Sequence, residues 1–207
     1  NDLRLETPYS SLKAGLNMDL NAFDETAPGN IQMAFDAKVG KGDIALFRQY
    51  LPNGVLGKLP NKQINASASV HGSIKHAEID YLSLSIPNAI SLNANGSVSN
   101  KSGNISNING YTTQLSTSLD CPNIDFLTQF VDPKILAGTG IRMPHGLPLS
   151  ASVKINGGMK SLALENLKLN VPGHMSISSS GEVLRLNNLS DVSLNNLALT
   201  FDAPNID

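Results

Sequence analysis

Tryptophan is absent from this sequence, and Phe and Tyr together make up only 5% of its 207 residues. That leaves little material for stacking sugars or bases. A single cysteine excludes an internal disulfide framework and any multi-cysteine metal centre. Charged residues are also few, at 15%, and the 15 Lys and Arg are scattered along a chain of net charge −2. Nucleic acid is therefore not an expected partner, because phosphate recognition needs a concentrated basic face. No apolar run approaches the roughly 20 residues that span a bilayer, and no charged-then-apolar leader opens the chain. What the sequence does have is 23 Asn and 23 Ser on a 41% hydrophobic background. Small uncharged polar residues in that quantity point to strands and turns. The chain begins and stops in mid-pattern, at Asn1-Asp2-Leu3 and Asn205-Ile206-Asp207, and so is expected to be a piece of something longer.

Apolar and polar residues alternate along most of the chain. Leu12, Ala14, Leu16, Met18 and Leu20 occupy every second position, as do Ile31, Met33, Phe35, Ala37 and Val39. The period returns at 82–86, 90–94, 167–171, 175–177 and 197–201. Side chains on a strand point alternately to opposite faces, so each run has one apolar and one wet face. Turn residues divide the runs, among them Pro87-Asn88, Asn95-Gly96, Asn109-Gly110, Gly157-Gly158 and Pro172-Gly173. Antiparallel strands joined by short hairpins follow.

Two segments depart from the period. Ile44, Phe47 and Leu51 are spaced i, i+3, i+7, and Ile124, Leu127 and Val131 repeat that spacing. Each follows a good N-cap residue, Asp43 or Asn123, and precedes a proline, Pro52 or Pro133. Short helices are predicted at about 44–51 and 124–131. They expose an internal repeat: Ser67-Ala68-Ser69-Val70 recurs as Ser150-Ala151-Ser152-Val153, and Ile86-Pro87-Asn88 as Val171-Pro172-Gly173. Leu119-Asp120-Cys121-Pro122-Asn123-Ile124 recurs as Phe201-Asp202-Ala203-Pro204-Asn205-Ile206, and Phe35-Asp36-Ala37 begins a third copy. The repeating unit is predicted to be about 80 residues, a short helix plus about five strands. The strands of the first full unit are placed near 64–72, 76–86, 89–99, 103–108 and 111–119. Residues 1–43 close a partial unit, and 44–123 and 124–207 are complete units of one continuous domain, stacked as a solenoid or an extended sheet.

The run from Ala151 to Gly158, then Leu162-Ala163-Leu164-Glu165-Asn166-Leu167-Lys168-Leu169, then Ser178-Ser179-Ser180-Gly181-Glu182-Val183, resembles the AsmA/TamB family. That family pairs a strand ending in Gly with an "nl.l" strand and an "l.lsG.v" strand. Asp120-Cys121-Pro122-Asn123-Ile124-Asp125-Phe126-Leu127 looks like its entry into a short crossing helix. The resemblance covers essentially the whole chain and extends to the repeating β-groove superfamily of lipid transfer proteins. It implies a long sheet curled into a taco-shaped trough with an apolar inner face. It also implies a periplasmic Gram-negative protein anchored in the inner membrane, serving phospholipid transport or outer-membrane assembly. Phospholipid or another acyl lipid, with outer-membrane assembly proteins, would then be its partners.

On that reading the floor of the trough is the apolar phase of the central strands. In the first unit this is Leu82, Leu84, Ile86, Ile90, Leu92, Leu115 and Leu119. In the second it is Leu167, Leu169, Val171, Met175, Ile177, Leu197, Leu199 and Phe201. The same pattern also suits an ordinary packed core, in an envelope spacer or adhesin stalk, because alternation reports burial and not what covers the buried face. An enzyme is not expected, for want of a carboxylate pair or aromatic subsites.

Sharper sites fit poorly. Cys121 corresponds to Ala37 and Ala203, so its position calls for a small side chain, not a nucleophile. His71, His76, His145 and His174 lack metal-ligand spacing, and no metal or cofactor is expected. Asp36, Asp120 and Asp202 recur at one position and are predicted to serve turns or caps. Gly138-Thr139-Gly140 lacks the setting of a phosphate loop.

Overall fold

A computed structural model describes residues 2–50, 54–100, 102–130, 145–188 and 191–203. The alternating runs form eleven antiparallel strands in one sheet, each paired with its neighbours in chain order. They are β1 (Asp2–Glu6), β2 (Ser11–Met18), β3 (Ile31–Val39), β4 (Ile64–Gly72), β5 (His76–Ile86) and β6 (Ile90–Asn100). Then follow β7 (Tyr111–Cys121), β8 (Leu149–Gly158), β9 (Ser161–Val171), β10 (Met175–Leu184) and β11 (Ser193–Asp202). Because β1 and β11 do not pair, the sheet is unclosed.

The matching tripeptides make matching hairpins. Ile86 pairs with Ile90 and Val171 with Met175 across three-residue loops. The second loop residue, Asn88 or Gly173, adopts the left-handed conformation with φ of 60° or 74°.

Both longer crossings, from β3 to β4 and from β7 to β8, leave the same end of the sheet, since β3 and β7 run in the same direction. Each carries only single turns of α-helix where the spacing predicts about two. The first is a single α-turn, α1 (Lys41–Ile44), continued by a 3-10 turn over Ala45–Tyr50 and followed by α2 (Val55–Lys58). The period of three in Ile44, Phe47 and Tyr50 suits a 3-10 turn better than an α-helix. Asp43 lies inside the first turn and does not cap it. Its carboxylate accepts hydrogen bonds from Ser10 and Thr7, which hold its pKa below the ordinary value. The second helix is α3 (Asp125–Thr128), with Asn123 Oδ1 accepting from the Asp125 amide at 2.9 Å. Leu51, Pro52, Val131, Pro133 and Gly138-Thr139-Gly140 lie outside the described residues.

The strand predicted at 103–108 does not form, so four strands, not five, separate the two crossings. Asn100 is the reason. Its side chain is 1% exposed, donates to the Asn104 carbonyl at 2.7 Å and accepts from Ser102 Oγ at 2.7 Å. These bonds fold the segment onto the end of β6 before a ladder can start. Asn100→Ala should lower stability by about 1–2 kcal/mol, because it removes the hydrogen bonds to Asn104 and Ser102 that hold the turn. Both of those residues are exposed, so water can replace the lost partner. An unchanged urea midpoint would show that this network does not hold the turn.

Asp36, Asp120 and Asp202 occupy strands rather than turns, and all three are exposed on the polar face. Asp36 faces Ser67 and Asp120 faces Ser150 across the ladder. Among the described residues no helix is long and apolar enough to cross a membrane.

Candidate functional site

Pairing register sorts the side chains into two faces. One row of cross-strand partners runs from edge to edge: Leu5, Leu12, Ala37, Ala66, Leu84, Leu92, Leu119, Ala151, Leu169, Ile177 and Phe201, one from each strand. Every member is aliphatic or aromatic. At roughly 4.8 Å per strand the row is about 48 Å long. Beside it run Leu3, Ala14, Phe35, Ala68, Leu82, Ala94 and Thr117, and beyond a bulge Leu167, Ser179 and Leu199. The two hydroxyls in this second row are occupied by the sheet itself. Thr117 donates to the Val153 carbonyl at 3.3 Å and Ser179 to the Ala198 carbonyl at 2.9 Å. The surface therefore stays apolar where the sequence is not.

Bulges keep the face in phase. Ile79 pairs with Gly96 and Leu82 with Ala94, so Asp80 and Tyr81 together oppose Asn95. Without that extra residue Leu82 and Leu84 would point to the polar side. Corresponding irregularities lie on either side of β9 and between β10 and β11.

All fifteen floor candidates fall on this one face, but they do not share one environment. At the end carrying the crossings, residues 122–128 lie over it. Cys121, Ile124, Leu149 and Val171 are buried there, with Leu119, Phe126, Leu127, Leu147, Leu169 and Met175 packed around them. The Ile124 amide donates to the Leu147 carbonyl at 2.8 Å, which ties this cover down. Val171 is 0% exposed, and its counterpart in the first hairpin, Ile86, is 6% exposed. Leu82, Leu84, Leu197, Leu199 and Phe201 are exposed, Leu199 by 66%. Ile90, Leu92, Leu115, Leu167 and Ile177 are half-buried. Among the described residues no second layer covers this middle part of the sheet. At the opposite end the face borders an apolar hollow of about 220 Å³, lined by Tyr111, Ile155, Met159, Leu162 and Leu186 among others. No family model, curated protein or solved structure matches this chain.

Residues of β1–β3 belong to the same surface although the floor was assigned only to later strands. Leu3, Leu5, Leu16, Met18 and Met33 are all exposed on it. Their alternation was legible, but their continuity with β5 and β9 depends on register.

Several titratable groups lie on the polar face, in small separate clusters. Asp80 accepts from Ser69 at 2.7 Å and contacts His71 Nδ1 at 3.0 Å, and these hydrogen bonds, Ser69 first, lower its pKa. His76 bonds Glu78 Oε1 at 2.8 Å and Ser99 Oγ at 2.7 Å. Glu182 is likewise held below its usual value by Ser161 and then Asn195. Among the described residues no three His, Cys, Asp or Glu converge as metal ligands would. Cys121 is 1% exposed and its thiol donates to the Asn123 carbonyl at 3.0 Å; burial pushes its pKa up, away from the thiolate a nucleophile needs.

Proposed function

We propose that this chain is a segment of a periplasmic, AsmA/TamB-like envelope protein whose apolar β-face shields the acyl chains of phospholipid or a similar lipid. The parent protein, anchored in the inner membrane, would carry them toward the outer membrane or its assembly proteins. The observation that carries the reading is the unbroken eleven-residue apolar row with its exposed leucines. Further support comes from the recurrence of crossing, hairpin and bulge, which suits a unit of about 80 residues adding along one axis. On this reading the sheet curls into a trough around its guest.

An acyl chain of about 14 methylenes in water costs roughly 11 kcal/mol at about 0.8 kcal/mol per methylene. A surface of Leu, Ile, Val, Met and Phe removes much of that cost at every point. Because dispersion and hydrophobic contact are non-directional, neighbouring positions along the row are close in energy, and sliding meets no deep trap. Hydrogen bonds from the floor would obstruct such movement; Thr117 and Ser179 direct theirs into the ladder. The rival reading, a spacer or stalk with a packed face, is favoured by the cluster around Val171 and by the buried Ile86 and Ala68.

Mass spectrometry of an organic extract of the purified protein should find phospholipid. Leu82→Asp with Leu84→Asp should reduce the bound lipid at least tenfold while the circular dichroism of the sheet persists. Folded wild-type protein that carries no lipid and takes up no fluorescent acyl probe would overturn the proposal. Loss of the fold in the double variant would favour the packed face.

A further inference from the structure

The first crossing concentrates positive charge. From Lys41 to Lys62 the sequence has four of the chain's 15 Lys and Arg and only one of its 17 Asp and Glu, Asp43. Two of the four, Lys41 and Lys62, line one hollow of about 550 Å³ between this crossing and the β1–β2 turn, together with Tyr9, Leu56, Asn61 and Gln63. Each ammonium is placed by a backbone carbonyl. Lys41 donates to Leu59 at 2.7 Å and Lys62 to Pro87 at 3.1 Å. That leaves further N–H donors on both, and among the described residues no carboxylate pairs with either. Asp43 is already engaged by Ser10 and Thr7.

Lys62 also links the hollow to the apolar face. Pro87 begins the hairpin loop after Ile86, and from there Leu84 and Leu82, each 39% exposed, lead away along β5. From this juxtaposition we propose that Lys41 and Lys62 bind the phosphate of a phospholipid whose acyl chains lie on the apolar face, and that they select headgroups carrying no cation. The proposal rests on the reading of that face as an acyl-chain surface.

A phosphodiester presents a full negative charge on its unbridged oxygens, and the remaining ammonium donors match it. An amine-bearing headgroup, as in phosphatidylcholine, brings a cation to a segment whose one carboxylate is occupied, so like charges meet. Phosphatidylglycerol brings none. Inorganic phosphate offers the same charge but leaves Leu84 and Leu82 in water, so it gains nothing from the face. The lysines stand at the crossing end and not on the floor, and the chains themselves still meet only hydrocarbon.

The test uses the intact chain and three fluorescent lipids with the same acyl chains: phosphatidylglycerol, phosphatidylcholine and diacylglycerol. Each is offered from vesicles of unlabelled phosphatidylcholine. Phosphatidylglycerol should bind about tenfold more tightly than phosphatidylcholine, as expected for charge-assisted hydrogen bonds. Lys41→Gln with Lys62→Gln should erase that preference and leave diacylglycerol uptake unchanged, whereas Lys41→Arg with Lys62→Arg should keep it. Equal uptake of the two phospholipids by the wild type, or a preference that survives the Gln pair, would overturn the proposal and leave the acyl-chain reading standing. Uptake of none of the three lipids would overturn both. Equal loss of all three in the Gln pair would show that the lysines hold the crossing and not a headgroup. Inorganic phosphate that displaces phosphatidylglycerol at equal concentration would make the hollow a site for free phosphate instead.

Discussion

Val171→Asp is expected to destabilise the protein by about 3–5 kcal/mol, and Leu199→Asp, on the same face, by less than about 1 kcal/mol. Val171 has no exposed surface and packs in the cluster with Cys121, Ile124 and Leu149. A carboxylate of similar size at that point would be desolvated with no cation to pair with in the cluster. At Leu199, two-thirds exposed, the carboxylate stays hydrated. Urea denaturation followed by circular dichroism reads both values. The contrast distinguishes a face that is core throughout from one covered only at the crossing end. Equal, large losses would mean that Leu199 is also packed in solution. Equal, small losses would mean that the cover formed by residues 122–128 is not held down.

Gly96→Ala should be nearly as damaging, with a loss of about 3 kcal/mol or more. Gly96 holds φ at +147° beside the β5 bulge, where it pairs with Ile79, and a Cβ there would sit 1.9 Å from the Gln114 carbonyl oxygen. That oxygen belongs to the adjoining strand and cannot yield without opening the β6–β7 ladder. Strain at such a backbone position adds about 1–3 kcal/mol to the clash. Gly54→Ala provides the comparison. It too has a positive φ, +84°, but nothing lies within 4 Å of the added carbon, so backbone strain of about 1 kcal/mol is the whole expected effect. If the two variants unfold at the same urea concentration, close approach at Gly96 does not matter to the fold. A Gly96 variant that loses stability and also loses lipid would connect the bulge to the proposed floor, since the bulge keeps Leu82 and Leu84 on the apolar side.

These two sites illustrate different degrees of legibility. The strands around Val171 and Leu199 are evident in the residues, because a period of two leaves an unambiguous pattern over eight or more positions. The equivalent hairpins at Pro87-Asn88 and Pro172-Gly173 are also evident, since each needs a residue tolerant of a left-handed backbone at one position. Gly96 stood out as a turn residue next to Asn95, yet it lies within β6, where it admits a neighbouring strand. A strand is expected near 103–108 in the segment after Asn100. A buried amide that captures Asn104 and Ser102 decided otherwise.

Local chemistry, then, determined that the chain would form antiparallel strands, where most of them would turn, and which side chains would share a face within each strand. Those outcomes follow from side-chain direction and from φ preferences that act over two to four residues. Tertiary structure alone decided that ten successive pairings bring one aliphatic or aromatic residue per strand into a single row. It also decided that three bulges keep that row in phase, and that Val171 is covered while Leu199 lies open. In the sequence those two residues look alike, each in an alternating run near a turn. What separates them is the passage of residues 122–128 over one end of the sheet, and no periodicity records where a distant segment comes to rest.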